Sequence, residues 1–172
     1  TRSGPELYIG AAMDLSIAVP AYNEEDRIRD TLQALEDALG SRPLDWEVLV
    51  VDDGSGDATA ATVQEWASDR GRFQLLQYAG NRGKGYAVRH GMGQALGAAV
   101  GFIDADNKTD LSQLEAVLEA LRDGADMVIG DRTLQASDIA VPRRAHRQWG
   151  SNQFRRLVRW WMGLGAYPDT QC

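Results

Sequence analysis

Cysteine is almost missing from this chain. The single Cys172 among 172 residues excludes an internal disulfide framework. With only two histidines beside it, the chain also lacks the ligands of a His/Cys-rich zinc site. Long apolar runs are lacking as well. The best, Gly97–Ile103, is a strand's worth, far short of the roughly 18 residues that a membrane span needs. The opening residues, 1–10, do not show the basic-then-apolar pattern of a signal peptide. There is no internal repeat, no low-complexity tract and no G-x-G-x-x-G fingerprint. Gly80-Asn-Arg-Gly-Lys-Gly85 is not a Walker A loop, because two residues separate Gly80 from Gly83 and Tyr86 stands where Ser or Thr belongs. What is present is 44% hydrophobic and 25% charged sequence, enough to bury the core of one compact domain without staples.

Charge is unevenly distributed. The total is −7, yet from Val141 onward six arginines face one acid, Asp169, a net of +5. That leaves twelve bases and twenty-four acids in the first 140 residues, a net of −12. Such a body is a poor partner for nucleic acid, whereas its basic end suits a phosphate or a membrane surface.

Apolar runs alternate with helical patterns along the chain. Leu15–Val19 reads as a strand stopped by Pro20, and Ile28, Leu32, Leu35 and Leu39 mark a helix face that ends at Gly40. Asn23 and Asp26 resemble an N-terminal cap for that helix. Strands are expected at 47–51, 73–78, 99–103 and 127–129. Helices are expected at 58–69, on a small-residue face formed by Ala87, Gly91, Ala95 and Ala98, and after an Asp110 cap on Leu111, Leu114, Leu118 and Leu121. This alternation predicts an α/β fold, a mainly parallel sheet with helices on both faces, whose ligands gather at the carboxyl ends of the strands. A last apolar stripe (Phe154, Leu157, Val158, Trp161, Met162) with Arg155, Arg156 and Arg159 off it predicts a basic amphipathic helix for a membrane surface or a lipid phosphate.

The polar clusters all fall at strand ends. Asp104-Ala-Asp106 places two carboxylates about 6–7 Å apart along an extended chain, so they share a hard cation such as Mg²⁺ or Mn²⁺ only if the chain bends there. Asp52 and Asp53 are candidates to accept from a base or ribose, while Asp57 is assigned to capping the next helix. Arg82 and Lys84 on the glycine-rich loop make an anion site beside a helix start. His90 and His146 receive no role.

Together, Pro20-Ala-Tyr-Asn-Glu24, Val50-Val-Asp-Asp-Gly-Ser-Gly-Asp57, Asn81-Arg-Gly-Lys-Gly85 and Asp104-Ala-Asp106 resemble the family 2 glycosyltransferases of the GT-A fold. Asn81–Arg89, Ile129-Gly-Asp-Arg132 and Asp169-Thr-Gln-Cys172 are similar to the branch that moves a sugar onto dolichyl or polyprenyl phosphate, the glucosyltransferase and mannose synthase group. Asn107-Lys-Thr departs from the mannose synthases, which carry Gln there, and the closing motif usually runs on past its Cys, so a longer parent chain is expected.

The resemblance implies an extension over 1–14, a nucleotide-sugar-binding core over 15–140 and an acceptor- or membrane-facing segment over 141–172. It implies that Pro20, Tyr22, Glu24, Asp52 or Asp53, and Lys84 bind the nucleotide. Asp104 and Asp106 would hold the metal, Asp106 more directly, and serve catalysis with Arg132, while Arg143, Arg144 and Arg147 would hold the acceptor phosphate. The expected activity is inverting, metal-dependent transfer of glucose from UDP-glucose to the lipid phosphate at the cytoplasmic face of a membrane. A GDP-mannose donor, a hydroxyl acceptor, and a non-catalytic nucleotide-sugar-binding module that docks on membranes are the alternatives.

Overall fold

A computed structural model describes residues 13–130. Four parallel strands form one sheet in the order β3-β2-β1-β4. The chain runs β1 (Met13–Ala21), α1 (Ile28–Gly40), β2 (Trp46–Asp52), α2 (Thr59–Ala67), β3 (Phe73–Gln77), α3 (Lys84–Met92), β4 (Gly97–Phe102) and α4 (Leu114–Arg122). These elements belong to the first of two compact units, which ends at Ala125; of the second, only 126–130 are described.

The sheet is sandwiched as the alternation predicts. On one face Leu15, Ile17, Val19, Val48 and Val50 meet α1 through Ile28, Leu32, Leu35 and Leu39, together with Val63 and Trp66 of α2 and Leu118 of α4. Each fully buried leucine of α1 contributes about 1.5–3 kcal/mol of burial. On the other face lies α3, which sits directly on the strands. A Cβ at Gly91 would lie 2.8 Å from Val51 Cγ2 and 2.9 Å from Ala18 Cβ, so only glycine allows this approach.

At the amino end of the sheet, beyond α3, a buried carboxylate closes the same face. Glu47 Oε1 accepts from Ser16 Oγ at 2.6 Å and from Leu96 N at 2.8 Å, while Ser16 Oγ accepts from Gly97 N at 2.8 Å. Glu47 Oε2, also buried, has no hydrogen-bond partner.

Several boundaries differ from expectation. β1 runs through Pro20 to Ala21. Ala18 O accepts from Ile103 N and Ala21 O from Asp53 N, so Pro20 faces the β4 side, where the ladder has already ended, and its missing N–H costs nothing. α3 stops at Met92; Ala95 lies beyond it and Ala98 is in β4. Asn23 and Asp26 do not cap α1, which begins after Arg27 without a side-chain cap. Asp110 caps a 3₁₀ turn, Leu111–Gln113, that leads into α4, accepting from Ser112 N at 2.9 Å. Met127–Ile129 is not a strand: no ladder bond is present among the described residues, and Met127 and Ile129 are exposed. A three-residue run has no strand character without a neighbour to pair with. The amphipathic segment after Val141 lies outside the described residues.

Candidate active site

The carboxyl ends of β1, β2 and β4 and the start of α3 enclose a cleft of about 350 Å³. Its walls include Pro20, Tyr22, Glu24, Asp53, Asn81, Gly83, Lys84, Asp104 and Asp106.

One side is built by two loops stitched together. After β1, Asn23 takes φ +54°, the left-handed region that Asn tolerates. Its backbone N–H donates to Ser55 Oγ (3.0 Å) and its Oδ1 accepts from Gly56 N (2.9 Å). Glu24 N donates to Thr59 Oγ1 (2.8 Å), and Glu25 N to Asp57 Oδ2 (3.2 Å). Glu25 Oε2 accepts from Ala58 N at 2.8 Å. Asn23, expected at a helix cap, instead bonds to the turn after β2. Asp57, expected to cap α2, lies one residue before its N-cap, Ala58, which makes no side-chain cap bond; it accepts instead from Thr59 N (2.9 Å), the first residue of the helix, and joins the stitch. Burial alone would raise the Asp57 carboxyl, but hydrogen bonds from Thr59 and Glu25 together hold it below its usual value.

Asp53, at the end of β2, organises the opposite side. Its Oδ1 accepts from Tyr78 Oη and from Arg82 N, and its Oδ2 from Gly83 N, all at 2.8 Å. Through these bonds the 80–83 loop is fixed by a strand end. Gly54 is pressed against that loop with φ +73°; a Cβ there would meet Gly80 C at 2.6 Å. Burial, then the bond to Asp53, pushes the Tyr78 hydroxyl well above its ordinary value, so it remains a donor. Asp52 does not line the cleft. Its carboxylate is buried and accepts from Ser55 N (3.2 Å) and Gln77 Nε2 (3.3 Å).

The floor is the end of β4. The chain leaves the strand after Phe102 and turns at Ala105-Asp106, between the two carboxylates. α1 holds this turn, since Thr31 Oγ1 donates to Ala105 O at 2.8 Å. Each carboxylate meets an ammonium: Asp104 Oδ1 lies 2.5 Å from Lys84 Nζ, and Asp106 Oδ2 lies 2.9 Å from Lys108 Nζ. Asp106 Oδ1 accepts also from Lys108 N at 3.2 Å. Among the described residues no three His, Cys, Asp or Glu side chains group as a metal cage. Two hard carboxylates without a third fit a divalent ion that completes its shell with water and substrate phosphate oxygens.

Glu24 offers a further acceptor. Arg27 Nη2 lies 2.6 Å from its Oε2, but the pair is not aligned as a hydrogen bond, and that buried oxygen has no other partner.

Of the residues expected at a site, the structure therefore brings Pro20, Tyr22, Glu24, Asp53, Lys84, Asp104 and Asp106 to one cleft and leaves Asp52 behind the wall. Arg132, Arg143, Arg144 and Arg147 lie outside the described residues. The sequence reading missed Tyr78, Thr31, Thr59 and Ser55. Their contacts join positions 25 to 74 residues apart, with no local pattern to reveal them, apart from a tyrosine directly following β3.

Comparison with known proteins shows the family. The family model "Glycosyl transferase family 2" matches residues 16–171. The chain is 35% identical over its whole length to a dolichyl-phosphate beta-glucosyltransferase of Drosophila melanogaster, and 31% identical over 92% of its length to one of Saccharomyces cerevisiae. It spans about half the length of these relatives, 56% and 52%. Among solved structures, a mannosyltransferase from Pyrobaculum calidifontis with GDP-Man and Mn²⁺ superposes with a TM-score of 0.58 at 29% identity. That match covers 65% of this chain and 33% of that one. S. aureus TarS with UDP-GlcNAc gives 0.52 at 28%, covering 63% and 31%. With the strand-end carboxylates, the stitched loops and the sheet order all on the same chain as these matches, the protein belongs to glycosyl transferase family 2.

Proposed function

We propose that this protein transfers glucose from UDP-glucose to dolichyl or polyprenyl phosphate, with inversion, at the cytoplasmic face of a membrane. The observation that carries this reading is the convergence of Asp53, Lys84, Asp104 and Asp106 on one cleft, in a chain whose whole length aligns with 56% of a dolichyl-phosphate beta-glucosyltransferase. No helix among the described residues is long and apolar enough to cross a membrane, so the membrane contact is assigned to the basic, tryptophan-bearing segment after Val141.

The residues divide the work by their chemistry. Tyr22, 47% exposed at the mouth, offers an aromatic face to the base. Glu24, ion-paired with Arg27 on the cleft wall, is assigned to accept from a ribose hydroxyl. Asp53 accepts from the base, and Lys84 takes a phosphate oxygen. Asp104 and Asp106 would hold Mg²⁺ or Mn²⁺, which supplies Lewis-acid neutralisation of the charge that builds on the β-phosphate as the nucleotide leaves. The acceptor phosphate oxygen is already anionic at neutral pH, so the protein needs to position it rather than deprotonate it. Arg132, Arg143, Arg144 and Arg147 are assigned that positioning. Direct displacement then turns an α-linked donor into a β-linked product.

Calorimetric titration of UDP and GDP, with and without Mn²⁺, tests the donor site, and transfer from UDP-glucose to dolichyl phosphate tests the reaction. Metal-dependent UDP binding is expected. Tighter GDP binding would move the donor to GDP-mannose, and no binding of either would remove the donor-site reading. Replacing Arg143 and Arg144 by Ala should raise KM for the lipid phosphate far more than for the donor; equal losses would remove their acceptor role.

A further inference from the structure

The same fold carries a GDP-sugar in one solved neighbour and a UDP-sugar in another, so the fold by itself does not choose the base. The choice must come from side chains at the cleft. We propose that Tyr78 selects uracil over guanine by occupying one side of the Asp53 carboxylate before any nucleotide arrives. This rests on the reading of Asp53 as the carboxylate that meets the base.

Hydrogen-bond capacity at Asp53 decides between the bases. An ionised carboxylate has about four acceptor positions, two on each oxygen. Tyr78 Oη and Arg82 N fill both positions on Oδ1, and Gly83 N fills one on Oδ2. One position remains, on Oδ2, and the group is 3% exposed, which leaves little room for more than one incoming donor. Uracil brings a single ring N–H between two carbonyls. Guanine brings two adjacent donors, its ring N–H and its amino group, and a carboxylate meets both only when both oxygens are open. A base whose second donor is buried unpaired is rejected far more strongly than one that is merely a poor fit.

Two of the three donors on Asp53 are backbone N–H groups, present with any residue but proline at 82 and 83. Gly83 N is shared with Asn81 Oδ1 at 3.1 Å. Tyr78 is therefore the donor that side-chain identity controls. It is also held in place. Its ring packs edge-on against Tyr86 at 5.1 Å and His90 at 5.3 Å, and the Arg82 guanidinium lies over it at 5.4 Å. The hydroxyl cannot swing off Asp53 without breaking that cluster.

Tyr78→Phe removes the donor and keeps the ring. UDP and GDP are titrated with Mn²⁺ into the full chain and this variant, and the ratio of their dissociation constants is compared. We expect the preference for UDP over GDP to fall by about tenfold, mainly through tighter GDP, as one acceptor on Oδ1 opens to a charged-group hydrogen bond. A change smaller than about fivefold, or equal weakening of both nucleotides, overturns the inference. Asp53→Asn separates the two levels. If that variant binds UDP as tightly as the parent, Asp53 does not meet the base and both readings fall. If it loses UDP while Tyr78→Phe leaves the preference unchanged, only the role of Tyr78 falls.

Discussion

Just past the end of β2, a buried strand, and just past the end of β4, a half-buried one, stand carboxylates that the protein satisfies in opposite ways. Asp53 is 3% exposed and answered by neutral donors, two backbone N–H groups and a hydroxyl, none of which cancels its charge. Asp104 and Asp106 are answered by ammonium groups on side chains that are 46% and 64% exposed. Ion pairs this open to water are worth about 0–1 kcal/mol. The β2 end is thus a fixed fitting, and the β4 end holds its counter-charges loosely enough for another cation to replace them. A recognition site needs the first arrangement and a metal site the second.

The sharpest test of this contrast is Asp106→Ala. Metal-dependent nucleotide binding should disappear and transfer should drop by about a thousandfold or more, with the thermal midpoint preserved. If Mn²⁺ still tightens nucleotide binding in this variant, the exchangeable end is not a metal site. Gly54→Ala probes the rigid end. Its Cβ meets the Gly80 backbone at 2.6 Å on a left-handed residue, and we expect about 2 kcal/mol or more of lost stability in urea unfolding, together with weaker UDP binding. A loss under about 0.5 kcal/mol would show that the turn yields and that the β2 end is not rigid. Lys84→Met separates the two roles of one ammonium. Without nucleotide, Mn²⁺ should bind about threefold tighter because its competitor on Asp104 is gone, whereas UDP should bind more weakly. Unchanged Mn²⁺ affinity would mean that Lys84 does not compete for the site.

Acidity gives the smallest effect. Asp57 has a folded value below its ordinary 3.8, so the stability it contributes is complete above 3.8 and is lost as pH falls through the lowered value. Acid unfolding curves of the parent and Asp57→Asn should differ above pH 4 and converge below it. Curves that stay equally far apart down to the acid limit would detach Asp57 from the stitch.

The alternation of elements and the carboxylates at strand ends were legible because each rests on local signals: runs of Val, Ile and Leu, helical spacing, and Asp beside Gly. Asp104, Asp106, Asp53 and Lys84 could be picked from such signals, and the cleft contains them. Choosing between Asp52 and Asp53 required knowing which way each side chain leaves a strand end, and the sequence carries no sign of that. Tyr78 and Thr31 escaped for a related reason. Their partners, Asp53 and Ala105, come from other crossovers, and only the folded sheet makes them neighbours. Pro20 misled because a proline ends a strand only if its missing donor was needed, which depends on where the next strand stops.

The buried Glu47 bears on how the chain comes to be folded. During synthesis β1 and β2 emerge first, and Ser16 can meet Glu47 across 31 residues. The remaining donor, Leu96 N, lies 49 residues further on, and Gly97 closes on Ser16 across 81. Until those residues leave the ribosome, Glu47 has Ser16 but not Leu96 N, and burying a carboxyl group with part of its donors missing is unfavourable. The carboxyl group gains its second donor only with the segment that leads into β4, which ties β2 to the last of the four strands to be made.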